Sequence, residues 1–237
     1  MLMMFDPIYF LFLLPGIIVG IWAQWKVRSA YSEASQIRAR SGWRGAEAAD
    51  EVMRAAGVRG VEIEPTDGFL SDHYSPNEKV LRLSPGVYGD DSLAALGIAA
   101  HEAGHAIQDD RGYAPLRLRN FLVPAASFRR CFSWLIIMAG SLLAYHQFAV
   151  GPTIVYVGCG LFSAVVLFQL INLPVEFDAS RRAKIALVEG RLIDDDEKRY
   201  VDKVLNAAAM TYVAATLTSI LTLLYFLYRA GLLGGRR

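Results

Sequence analysis

Ser92-Leu-Ala-Ala-Leu-Gly-Ile-Ala-Ala-His101-Glu102-Ala-Gly-His105-Ala-Ile-Gln108 reads as one helix, and the rest of the chain is organised around it. Gly89-Asp90-Asp91 opens it, with carboxylates suited to the exposed N–H groups of a helix start. Asp109-Asp110-Arg111-Gly112 closes it. His101 and His105 stand at i and i+4, so both imidazoles lie on one face and can reach one metal. Glu102 lies one residue round, near enough to face a metal-bound water without having to ligate the metal. Two histidines for Zn²⁺ and a carboxylate as base make the residue set of metal-assisted hydrolysis. With 4 His in 237 residues, this spacing seldom arises by accident. The plainer alternative is a helix with two satisfied, partly buried histidines. Glu102-x-x-His105 is also half of a di-iron carboxylate site. The other histidines, His73 and His146, follow Leu70 and Leu143 at that spacing, so the second half is missing.

Composition points away from an ordinary soluble domain. Hydrophobic residues make up 54% of the chain and gather in long runs. The 24 basic and 23 acidic residues balance, which gives no reason to expect a nucleic-acid partner. Cys131 and Cys159 lie in apolar stretches and fit neither a disulfide framework nor a zinc finger; they read as small packing residues.

The apolar runs predict a mainly α membrane protein with about four transmembrane helices. Ile8 to Trp25 is of spanning length and ends in Trp22, Trp25, Lys26 and Arg28, an aromatic-then-basic interface. Asp6 precedes it and bulky residues follow, so it reads as an anchor rather than a cleaved signal peptide. Phe132 to Val150 and Thr153 to Leu173 form a hairpin, and Ala207 to Tyr228 is the fourth run. This divides the chain into an anchor at 1–25, a motif-bearing domain at 26–130, a transmembrane hairpin at 131–173, a helical segment at 174–206 and a C-terminal transmembrane helix with its tail at 207–237. Both large polar segments carry many Lys and Arg and the hairpin turn carries none, which places the two segments together on the cytoplasmic side. Arg229, Arg236 and Arg237 then fall outside, against that rule.

Within the polar segment, 29–39 and 44–56 have helical character, the second closed by Gly57. Val61 to Glu64 and Lys79 to Leu83 alternate like short strands, with turns at Asp67-Gly68 and Ser75-Pro76-Asn77. The strand just before the motif helix could accept an extended peptide by backbone pairing, or could simply close the core. Tyr113 to Arg130 mixes apolar residues with Arg117, Arg119, Arg129 and Arg130 and reads as a segment lying along the headgroups, or as a solvated loop. Pro174 interrupts the second hairpin run, after which a helix resumes.

A catalytic zinc takes three protein ligands and keeps one position open. Downstream acids outside obvious loops are Glu176, Asp178 and Glu189, and His73 is a further candidate. Glu176 sits in the first turn after Pro174. Asp178 is about 200° round the helix from it and cannot ligate from the same face; it can instead orient a histidine or be a solvated charge. Donors for a tetrahedral oxyanion are sought among His73, Tyr74, Arg181 and Arg182. The two arginines also read as interface anchors.

His101-Glu-Ala-Gly-His-Ala-Ile-Gln108 together with Glu176-Phe-Asp-Ala-Ser-Arg-Arg-Ala183 resembles the YugP-type neutral zinc metallopeptidases of bacterial membranes. These are similar in turn to the HtpX and CAAX-protease metallopeptidases. Asp72-His-Tyr74, Lys79-Val-Leu-Arg-Leu-Ser84 and Met210-Thr-Tyr-Val-Ala-Ala215 resemble the same family, so the likeness covers nearly the whole chain. It implies a multi-pass protein of the bacterial inner membrane with a small cytosolic α+β, zincin-like domain. It also implies one Zn²⁺ per chain, held by His101, His105 and Glu176, with Glu102 as the base. Protein or peptide substrates are implied, membrane proteins among them, as is contact with membrane lipid. The wider relatives carry Asp four residues after the ligand Glu, where this chain has Ser180. The partner of the zinc histidines is therefore missing, or is supplied by Asp178 or another residue.

Two rival readings differ in class. A catalytically silent metal-binding scaffold would close its site with four protein ligands, and three are in view. An intramembrane protease would put the motif inside a span. The stretch between Asp90-Asp91 and Asp109-Asp110 contains His, Glu and His and makes a poor one.

Overall fold

A computed structural model describes residues 6–233, with the side chains of 124–131 left aside. The expectations for Arg129, Arg130, Cys131, Arg236 and Arg237 lie outside the described residues. The elements are, in order, helix α1 (Pro7–Ala34), helix α2 (Gly45–Ala55), strands β1 (Glu62–Pro65), β2 (His73–Ser75) and β3 (Val80–Leu83), and a short helix α3 (Pro85–Tyr88). Then come helices α4 (Leu93–Asp110), α5 (Ala114–Tyr145), α6 (Gly151–Glu189) and α7 (Asp195–Arg229). The chain divides into two compact units, one made of 1–22, 118–173 and 212–237, the other of 23–117 and 174–211.

The second unit is built on α4, which carries the motif. Its cap is Ser92, whose hydroxyl accepts from the Ala95 N–H at 3.2 Å. Asp90 in turn accepts from the Ser92 N–H at 2.9 Å and Asp91 pairs with Arg38. The carboxylates expected at the helix start therefore hold the cap, and a hydroxyl serves the helix itself. From Leu93 to Gln108 the helix is almost wholly buried. It packs with the apolar face of α2 (Ala48, Ala49, Val52), with Leu81 and Leu83 of the sheet, and with Leu187, Val201 and Leu205 of α6 and α7. Its small residues permit this. A Cβ on Gly104 would lie 2.7 Å from the Ala179 carbonyl oxygen of α6, and one on Gly97 would lie 3.2 Å from Val201 of α7.

The three strands run in the order β1-β3-β2, with β1 parallel and β2 antiparallel to β3. This corrects one expectation. The strand before the motif helix is central, with both hydrogen-bonding edges already engaged, so it cannot take a peptide. The edge on the motif side of the register is β2, where Tyr74 pairs with Leu81. At three residues, β2 is too short for alternation to reveal it in the sequence.

Four helices outrun the segments predicted for them, because a change in polarity does not by itself end a helix. α1 continues past Trp25 to Ala34, and α7 joins the acid-rich stretch to the apolar run. Residues 113–130 form no separate surface segment; α5 runs through from Ala114 to Tyr145. α6 continues through Pro174, a residue that long apolar helices accommodate.

α1, α6 and α7 are long and apolar enough to cross a membrane, whereas the apolar stretch Phe132–Tyr145 of α5 is shorter. In the first unit, Ile137, Val155, Cys159, Phe162, Tyr225 and Phe226 form a buried cluster. Glycines bring the helices together: a Cβ on Gly140 would lie 2.7 Å from the Val155 nitrogen, and one on Gly16 would lie 2.6 Å from Thr218 Oγ1. Such small-residue contacts are what helix packing in lipid selects. The Tyr225 hydroxyl donates to Asp6 Oδ2 at 3.0 Å, joining the start of α1 to α7.

The approach at Gly104 sets a test of the second unit. In Gly104→Ala, the new methyl meets backbone rather than a movable side chain, and overpacking of this kind costs about 1–3 kcal/mol. Thermal unfolding of the metal-free protein in detergent is expected to fall accordingly. Unchanged stability would mean that α4 and α6 separate there at no cost.

Candidate metal centre

Two elements of the second unit supply the centre. α4 presents His101 and His105 one turn apart, with ring centroids separated by 4.8 Å. α6 presents Glu176, which is 3% exposed. His101 Nε2 lies 3.3 Å and His105 Nε2 3.6 Å from the same oxygen, Glu176 Oε2. One donor atom from each residue lies within 4.8 Å of the others, and among the described residues this is the group able to hold a metal.

The donor set fits zinc. Tetrahedral coordination at 2.0–2.1 Å separates neighbouring ligand atoms by about 3.3–3.4 Å, close to both measured separations. The far nitrogens of the rings are engaged by protein. His101 Nδ1 lies 3.1 Å from Ser180 Oγ, and His105 Nδ1 lies 3.0 Å from Gln108 Oε1. Each imidazole therefore directs Nε2 inward and rests its other nitrogen on a neighbour, as metal-bound histidines do. Burial pushes the Glu176 carboxyl up, but hydrogen bonding and charge from His101 and His105 more than offset this and hold it well below the usual carboxylate range.

Asp178 faces away from the three ligands. It accepts from Gln108 Nε2 at 2.9 Å and from Arg182 Nε at 2.6 Å, and it also pairs with Arg181. Burial pushes its carboxyl up, and hydrogen bonds from Arg182, Gln108 and Arg181 bring it below its ordinary value. Its link to a histidine thus passes through Gln108. The sequence alone gives Gln108 no candidate role; its one signal is a carboxamide three residues beyond His105 on an apolar face. Ser180 is itself the neighbour of His101.

The remaining candidates are not among the three ligands. Glu102 is half-buried beside His101 and is not one of the three. His73 is exposed on β2, with Nδ1 2.8 Å from the Ser71 carbonyl oxygen. Tyr74 is buried and donates its hydroxyl to Asp109 at 2.8 Å, and Lys79 reaches the same oxygen at 2.6 Å. Burial and then Asp109 raise the Tyr74 hydroxyl above its ordinary range. Glu189 is exposed near the far end of α6.

Comparison with known proteins agrees with this chemistry. Residues 9–231 match the family described as "Putative neutral zinc metallopeptidase". The chain is 43% identical over 208 residues to "Putative membrane protease YugP" of Bacillus subtilis (strain 168), an alignment covering 88% of this chain and 90% of that protein. No solved structure matches significantly. With a family match over almost its full length, three helices apolar enough for a membrane and a ligand group suited to the metal, the chain belongs to the neutral zinc metallopeptidases, with Zn²⁺ as cofactor and peptides or proteins as substrate class.

Proposed function

We propose that this protein is a membrane-embedded zinc endopeptidase that hydrolyses peptide bonds at the cytosolic face of the bacterial inner membrane. The observation carrying this reading is the convergence of His101 Nε2 and His105 Nε2 on one oxygen of Glu176. These three residues hold one zinc, and Glu102 acts as the general base. The second unit serves as the zincin-like domain, and the membrane is crossed four times, with α5 contributing the short pass.

Zinc, when bound, supplies a Lewis acid for a carbonyl oxygen and lowers the pKa of a water to about 7. Glu102 takes the proton of the attacking water and delivers it to the leaving amine. Its half-buried position next to a ligand suits proton transfer, since it is not consumed in holding the metal. The outer edge of β2 offers backbone donors and acceptors to an extended substrate, the role that central β3 cannot fill. Among the candidate donors for developing oxyanion charge, Tyr74 is engaged by Asp109, Arg181 and Arg182 by Asp178, and His73 by the Ser71 carbonyl through Nδ1. Cytosolic orientation is supported by the Lys and Arg of 26–117 and 174–206 against their absence from the turn between α5 and α6.

Glu102→Gln is expected to retain one zinc per chain while hydrolysis of an unfolded casein-like substrate falls by at least about 10²-fold. Metal analysis beside a cleavage assay in detergent checks both. Wild-type turnover in that variant, or purified protein without stoichiometric zinc, overturns the reading. A cysteine at exposed Phe69 should resist a membrane-impermeant maleimide in intact cells, while one at Gln147 should react. The opposite pattern would place the site outside the cytosol.

A further inference from the structure

A glutamine is an uncommon fully buried residue, and Gln108 has no exposure to solvent. Every partner of its carboxamide is accounted for. Nε2 donates to the Val175 carbonyl oxygen at 2.8 Å and to Asp178 Oδ2 at 2.9 Å. Oε1 faces His105 Nδ1 at 3.0 Å. Rotating the amide by half a turn would set its oxygen against two acceptors, so Val175 and Asp178 fix which end is which. The end left toward His105 can only accept. His105 must then carry a proton on Nδ1, and Nε2 is the nitrogen that faces Glu176.

We infer that Gln108 is a positioning residue, whose carboxamide is clamped by Val175 and Asp178 on α6 and sets the tautomer of His105 for metal binding. The inference rests on the zinc-site reading above. The clamp spans the same two helices that bring the ligands together, so one residue reports the α4–α6 register to the metal site. Asp178 can serve as an anchor because Arg181 and Arg182 neutralise it.

The test uses the full chain in detergent micelles at pH 8. Zinc affinity is measured against a competing chelator for wild type, Gln108→Met, Gln108→Glu and His105→Ala. Histidine ring ¹⁵N shifts are recorded on the metal-free protein, where 4 His make assignment tractable. Wild-type His105 is expected as the Nδ1–H tautomer. Gln108→Met should weaken zinc binding by about 10–100-fold, the usual cost of losing such a partner, and should mix the His105 tautomers while leaving the His101 signals in place. Gln108→Glu keeps an acceptor toward His105 but sets its second oxygen against Val175 and Asp178, so it should also weaken zinc binding. If His105→Ala binds zinc as wild type does, the zinc-site reading itself fails. If His105→Ala loses zinc while Gln108→Met keeps wild-type affinity and tautomer, only the inference about Gln108 fails. Should Gln108→Met not fold, the wild-type spectrum decides, and the Nε2–H tautomer at His105 overturns the proposal.

Discussion

The contact of α4 with α6 at Gly104 and Ala179 is the constraint on which the site depends. Histidines one turn apart on a single helix define at most two corners of a coordination shell. The third corner must come from another element, and a carboxylate side chain is short. Glu176 can meet both imidazoles because no side chain separates the helix backbones at Gly104. The same approach buries Glu176 almost completely, and a buried carboxylate is costly unless partners stabilise its charge. A cation held between that oxygen and the two imidazoles is such a partner. Packing and chemistry here are one requirement seen from two sides.

That dependence explains what the sequence could reveal. His101, Glu102 and His105 were legible because their relation is local: helical periodicity alone puts two imidazoles on one face. Glu176 lies 71 positions beyond His105 in the chain, and periodicity gives no distance across a fold. The acids after His105 stayed alternatives until a family likeness singled one out. Gln108 was invisible for another reason. A carboxamide on a buried helix face reads as a tolerated polar residue unless its partners are known, and two of them, Val175 and Asp178, lie on α6. Helix lengths escape hydropathy because it records where the environment changes, while helix ends are set by backbone chemistry. Nothing in 26–34 or 202–212 interrupts the i to i−4 ladder, so α1 and α7 run on past the change in polarity.

The distribution of charge around the centre follows from the same packing. Metal-bound histidines commonly rest on carboxylates, which make the imidazole more basic. Here the direct neighbours are a hydroxyl and a carboxamide, Ser180 and Gln108. The carboxylate behind Gln108, Asp178, stands one step back and is paired with two arginines. Because Glu176 and Asp178 leave α6 on different faces, the negative charge available to the metal is concentrated in one ligand. A carboxylate directly behind each ring would add negative charge to a pocket that already buries Glu176, and like charges in so small a volume suppress each other's ionisation. Neutral supports keep the rings oriented without that competition. The arrangement thus separates two tasks: Glu176 supplies charge to the cation, while Ser180 and Gln108 supply direction to the nitrogens that hold it.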